Sequence, residues 1–189
     1  TAHADQVKYL AIVRDCAYQD SLDSGTLFLQ LQRNFLGLTS HPLSLDDDDF
    51  DEQACVDGMR QRSFMTGIAN YQIYKAEIHY FYEDFKGAYA FSQAQDAMIA
   101  SAMSLPQLVR FYLVSFLTRT ALFADMSETE QESTRQRLAA DLKQMTVWAD
   151  HCPDNFLHLQ HIMQGELARV NGETLQALDC FDRAIESAR

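Results

Sequence analysis

Residues 165–189 read GELARVNGETLQALDCFDRAIESAR. Small or aromatic side chains fall at Gly165, Ala177, Phe181 and Ala184, at spacings of 12, 4 and 3. Residues 155–170 and 174–188 form an antiparallel helix pair around that spacing. A small side chain on each helix lets the two backbones approach, and the aromatic plugs the groove toward a neighbouring pair. No residue in the stretch is placed for chemistry. Leu178, Phe181 and Ile185 are apolar near its end, where an outermost helix needs a polar face. The segment is therefore expected to meet a partner chain or a symmetry mate.

The rest of the chain reads the same way. Residues 3–19 carry Val7, Leu10, Ala11 and Ala17 near helical spacing. Ser21, Asp23, Ser24 and Gly25 read as a turn. Leu27, Leu31, Phe35 and Leu38 form the stripe of a second helix. Residues 37–50 are loop-like, with the acidic run Asp46 to Asp49, so 39–51 is expected to be an irregular acidic loop. The run lacks the alternating ligands and tight glycine turn of a calcium loop, and reads as solvated or as a helix N-terminus. Residues 52–83 are helical with a break near Thr66-Gly67, and pack Tyr71, Tyr74, Tyr80, Phe81 and Tyr82 close together. Residues 85–103 form a small-residue helix. Ser104-Leu105-Pro106 opens a nearly uncharged helix. Ser127 with Glu130 is a capping box, followed by the stripe Leu138, Leu142, Met145 and Ala149, which Pro153 ends.

Composition agrees. The chain has 189 residues, 47% of them hydrophobic, with only Gly 7 and Pro 3. So few breakers favour long helices over a many-stranded sandwich. A net charge of −12 repels phosphate backbones and anionic membranes, which argues against nucleic-acid binding. Cys16, Cys55, Cys152 and Cys180 are widely separated, which fits free thiols in a reducing cytoplasm. No signal peptide or membrane span is read in the sequence.

Placed in a thirty-four-residue tetratricopeptide unit, Gly165, Ala177, Phe181 and Ala184 occupy its characteristic small and aromatic positions. An earlier segment echoes it: Ala76-Glu77 matches Gly165-Glu166, and Ala88 follows Ala76 as Ala177 follows Gly165. The register slips after Ala88, and the two units do not lie a whole number of repeats apart. The expectation is all-α: a superhelical array of antiparallel helix pairs, tetratricopeptide-like, about eight helices in a single domain over 1–189.

Trp148, Cys152-Pro153, Asn155-Phe156, Glu166, Ala168-Arg169, Gly172, Ala177, Phe181 and Ala184-Ile185 resemble the repeat region of large bacterial hybrid signalling proteins. These join a serine/threonine-kinase-like domain, an ATPase module, a helical repeat region, a sensor domain and often a histidine kinase. FLGLT (35–39), FDE (50–52) and YQIYKAEIHYFYEDFKGA (71–88) are weaker echoes of the same region. The resemblance implies a piece of a longer chain whose kinase and ATP-binding parts lie elsewhere. No kinase glycine loop or phosphate-binding loop is present in the sequence.

Candidate sites are few. Tyr71, Tyr74, Glu77 and Tyr82, with Glu166 and Arg169, are the groove or ligand candidates. Glu77 and Glu166 follow the small repeat position and would face a concave groove suited to a basic peptide or amine; the alternative is structural salt bridging. Ala76, Ala88, Gly165, Ala177, Phe181 and Ala184 are the packing residues. His151, Cys152, His158 and His161 cluster in sequence; His158 and His161, at i and i+3, could share a helix face and bind zinc with Cys152, but no fourth ligand has a standard spacing, so no metal, cofactor or catalytic residue is assigned. The expected function is a non-catalytic module for interdomain or protein–protein interaction and signal relay in two-component signalling, with a homodimer through the C-terminal helix pair as a further expectation. The alternative is a sensor of a small molecule or peptide on the aromatic concave face.

Overall fold

A computed structural model describes residues 2–15, 18–96 and 106–189. Among them the fold is all-α, with nine helices and no strand. One isolated bridge joins Asp47 and Phe50. No helix among the described residues is long and apolar enough to cross a membrane. The chain divides into two compact units, 1–108 and 109–189.

The first unit holds α1 (Ala2–Asp15), α2 (Gln19–Phe35), α3 (Glu52–Gln61), α4 (Met65–Phe81) and α5 (Phe85–Asp96). Helix α4 is its centre and packs on α2, α3 and α5. Its core takes Leu27 and Leu31 from α2, Leu45 from the connecting loop, Met59 from α3, and Ile73, Tyr74 and Ile78 from α4, all fully buried. Ala76 and Ala88, read as packing residues, are both buried, and small side chains there let α4 and α5 approach.

Two expected breaks lie elsewhere. Residues 21–25 are not a turn, because α2 already starts at Gln19. Asp23 is held inside the helix by Gln19, at 2.7 Å, and by Arg62. Gly25 faces α1, where a Cβ would come within 2.7 Å of Leu10. The α3–α4 junction falls at 62–64, with Ser63 at φ 56°, and not at Thr66-Gly67. Gly67 is interior to α4, where a Cβ would meet Met59 and Phe64 at 2.5 Å. Both glycines provide close approach, a need that local sequence does not distinguish from a break. The end of the helix expected over 85–103 lies outside the described residues.

The second unit holds α6 (Gln107–Leu122, beginning just before the division), a single 3₁₀ turn at Phe123–Asp125, α7 (Glu128–His151), α8 (Pro153–Val170) and α9 (Thr174–Ser187). The capping box forms as read: Ser127 Oγ accepts from the Glu130 amide, and Glu130 accepts from the Ser127 amide at 2.8 Å. Pro153 opens α8, separated from α7 by Cys152 alone. Phe116, Leu138, Met145 and Met163 form the buried centre, with Tyr112, Trp148 and Phe156 around it. Trp148 meets Tyr112 edge-on at 5.2 Å. Helix α9 returns along α8 with Ala177, Cys180 and Ala184 buried. Gly165 lies under the Phe181 ring: a Cβ there would come within 2.6 Å of Phe181 Cε1. Phe181 thus packs on its own hairpin and is half-buried.

Candidate interaction surfaces

Helix α4 places Tyr71, Tyr74 and Glu77 on successive turns; Tyr74 and Glu77 are buried and Tyr71 is half-buried. Tyr74 is 1% exposed, its ring 6.1 Å from Phe28 and its hydroxyl accepting from Gln107 Nε2 at 3.4 Å. It is a core residue and not a groove wall. Glu77 is likewise buried. Tyr71 donates to Glu52 Oε1 at 2.7 Å. Burial, then that bond to a carboxylate, push its phenol well above the ordinary value and keep it protonated. Tyr82, at the end of α4, is exposed and donates to the Asn34 carbonyl at 3.3 Å. In the second unit Glu166 is paired with Arg169 at 2.7 Å, and Arg169 also donates to the Thr120 carbonyl at 3.1 Å, tying α8 to α6. The structural role of Glu166 is the one the geometry supports.

The acidic loop is not solvated along its length. Asp46 and Asp51 accept from the Glu52 and Ala54 amides, at 2.6 and 2.8 Å, and so hold the start of α3. Asp47 accepts from Gln30 at 2.8 Å and from Arg33 at 2.7 Å. Burial opposes its charge, but the Gln30 bond, the Asp49 amide and the Arg33 guanidinium together hold its carboxyl below the ordinary range. Asn34, buried, donates to the carbonyls of Pro42 and Ser44 at 2.8 and 2.9 Å. Lys75, buried in α4, bonds the Leu43 carbonyl and pairs with Glu52 at 3.0 Å. Only Asp48 and Asp49 of the run stand exposed. The loop is a braced strap across α2 and α4.

Beside the loop lies an exposed apolar surface of which the sequence reading names Tyr82 alone as a candidate site residue. The stripe Leu27, Leu31, Phe35, Leu38 splits in two: the first pair is buried, the second exposed. Phe35 meets Phe81 edge to face at 5.3 Å, where α2 and α4 end side by side. Phe81 is 61% exposed, and Leu36, Leu38 and Tyr82 join it at the surface. The chain then turns away through Gly37 at φ 72° and Glu83 at φ 61°. Beside Leu38 lies a shallow polar cleft of about 270 Å³ lined by Arg33, Thr39, Ser40, Asp47 and Asp48. The available signal was the runs FLGL and YFY at helix ends, since adjacent helix residues point about 100° apart and cannot all face one core.

A second surface is the outer face of α9. Leu175, Leu178 and Ile185 are exposed beside half-buried Phe181. The other flank of α9, with α8 and Leu142 of α7, borders a half-open cleft of about 630 Å³ containing Gln164, Gln176, Asp179 and Arg183. Asp179 and Arg183, one turn apart on α9, pair with each other along the cleft edge at 2.8 Å. Near the α7–α8 junction Cys152 accepts from Asn155, at 3.2 Å, and His161 bonds Gln164 at 3.1 Å. Among the described residues no three His, Cys, Asp or Glu side chains converge on a metal position. Comparison with protein-family models, curated proteins and solved structures yields no match.

Proposed function

We propose that this chain is a non-catalytic helical-repeat module that binds other domains of its own chain, or a partner protein, and relays their state within a multidomain bacterial signalling protein. One observation carries the reading. The apolar arc of α9 is wider than the part its own hairpin covers. Ala177, Cys180 and Ala184 are buried against the hairpin, while Leu178 and Ile185 extend the same arc into solvent. A hairpin that ended the structure's interactions would carry polar residues there; one that stacks on a further element carries apolar ones. The tetratricopeptide-like spacing and the signalling-protein motifs support the same reading.

The test uses the double variant Leu178→Glu/Ile185→Glu. Both side chains are exposed, so its melting temperature should match that of the parent chain. The unmodified chain should co-purify with the remaining domains of its parent protein expressed separately, and the variant should not. Equal retention of both refutes the reading. ATP hydrolysis by this chain alone would overturn its non-catalytic part.

The sensor alternative moves from the tyrosines, which are bonded or buried, to the cleft between α8 and α9, whose volume lies in the range of small-molecule sites. Stabilisation by a polar metabolite that vanishes on Gln176→Ala and Arg183→Ala would favour it.

A further inference from the structure

We infer that the exposed aromatic cluster at the ends of α2 and α4 is a docking site for an apolar segment of a partner protein flanked by lysine or arginine. The inference rests on the interaction reading above, but on a different unit and on different residues from α9.

Three observations carry it. The first is chemical. Phe35, Leu36, Leu38, Phe81 and Tyr82 are all exposed, and the Phe35–Phe81 contact makes them one patch. Clustered exposed aromatics mark interaction sites, and aromatic side chains dominate binding energy where they are found. They do not belong to the buried core of this unit, which among the described residues is built on Leu27, Leu31, Leu45, Met59, Ile73, Tyr74 and Ile78.

The second is rigidity. Phe81 is held edge to face by both Phe35 and Tyr80, at 5.3 and 5.8 Å. The Tyr82 hydroxyl is fixed on the Asn34 carbonyl, and the Asn34 side chain in turn holds the loop. A patch already in place loses little ordering entropy on binding.

The third is charge. Carboxylates beside the patch or next to it along the chain include exposed Asp48, which lines the cleft beside Leu38, its neighbour Asp49, Glu83, which follows Tyr82, and Asp84, which bonds His79. The nearby cations are Arg33, occupied by Asp47, and Lys86 on the first turn of α5. Negative groups therefore prevail at the rim. They select a partner with basic flanks and disfavour a second copy of this chain, whose net charge is −12.

The experiment selects peptides from a random display library on the purified chain. Retained sequences are expected to combine large apolar residues with flanking Lys or Arg. One such peptide, measured by fluorescence anisotropy, should bind about thirty-fold more weakly to Phe81→Asp, the loss of one aromatic hot spot. It should bind about five- to ten-fold more weakly to Asp48→Lys/Asp49→Lys, with a flatter salt dependence. Leu178→Glu/Ile185→Glu should bind it unchanged. Phe81 is exposed and the two aspartates lie on the loop surface, so unchanged circular dichroism should accompany both losses. No enrichment, enrichment of acidic flanks, or a peptide lost only with the α9 variant overturns the inference. So does a dimer in light scattering that Phe81→Asp dissociates, which would make the occupant a second copy. Failure here with the α9 interaction intact leaves the module reading standing.

Discussion

Replacing Gly165 with alanine tests whether the spacing that opens the sequence reading is a steric code. A Cβ at Gly165 would lie 2.6, 2.8 and 3.0 Å from Cε1, Cδ1 and Cζ of Phe181. Carbon atoms rest at about 3.5–4.0 Å, so the ring must retreat by about 1 Å. Overpacking of this kind costs about 1–3 kcal/mol. Alanine in place of a mid-helix glycine returns about 1 kcal/mol. Gly165→Ala alone should therefore lower stability by about 0–2 kcal/mol, the lower end if the half-buried ring swings outward easily. In a Phe181→Ala background the obstacle is gone, and the same substitution should raise stability by about 1 kcal/mol. The double-mutant cycle then yields a coupling of about 1–3 kcal/mol. Urea unfolding followed by fluorescence of Trp148, the single tryptophan, reads the second unit directly. If Gly165→Ala stabilises equally in both backgrounds, the ring does not rest on Gly165 and the steric account of the hairpin is wrong.

Three further outcomes follow from the first unit. Lys75→Met removes the cation paired with the Glu52 carboxylate, 13% exposed, which keeps its bonds from Tyr71 and the Leu45 amide; the change should cost about 1.5–3 kcal/mol in urea unfolding, with part recovered by adding Glu52→Gln, and a loss below about 1 kcal/mol would refute the brace. Asp47 holds its carboxyl below the ordinary value of 3.8, so between the two values the unfolded chain binds more protons than the native one. Its stabilisation is therefore complete above that ordinary value and is lost as pH falls through the native one. The gap in melting temperature between the parent chain and Asp47→Asn should be wide at pH 6 and close toward pH 3, whereas a gap independent of pH would contradict the assignment. Burial first, and then the nearby Asp23 carboxylate, push the Cys55 thiol up to about 12. Mass spectrometry after iodoacetamide at pH 8 should find Cys55 unmodified in native protein and modified in urea, and rapid native alkylation would show that the α3 face opens.

What the sequence made legible, and what it did not, divides along one physical line. Features set by neighbours along the chain were readable. Ser127 and Glu130 satisfy each other across three residues, Pro153 can only open or end a helix, and the Gly165–Ala177 spacing fixes where one hairpin crosses itself. Features set by partners far along the chain were not. Gly25 and Gly67 carry the composition of a break, yet each is small because Leu10 or the Met59–Phe64 pair lies against it. Tyr71, Tyr74 and Tyr82 are three tyrosines within twelve residues with three fates: one bonded to Glu52, one enclosed in the core, one at the surface.

The acidic loop shows the same division more sharply. The run Asp46 to Asp49 looks like uniform charge, but Asp47 is bound by side chains fourteen and seventeen positions upstream, while Asp48 beside it is exposed. A braced loop leaves the ends of α2 and α4 uncovered, and the aromatics there stay at the surface. The exposed aromatic patch thus depends on ion pairs and hydrogen bonds elsewhere. Lys75 and Asn34, both buried, are therefore expected to shape binding at Phe81 by keeping the loop closed. A loss of peptide binding in Lys75→Met while the α4 helix remains folded would be the signature of that coupling; unchanged affinity would show that the aromatic plate is held by Phe35, Tyr80 and Tyr82 alone.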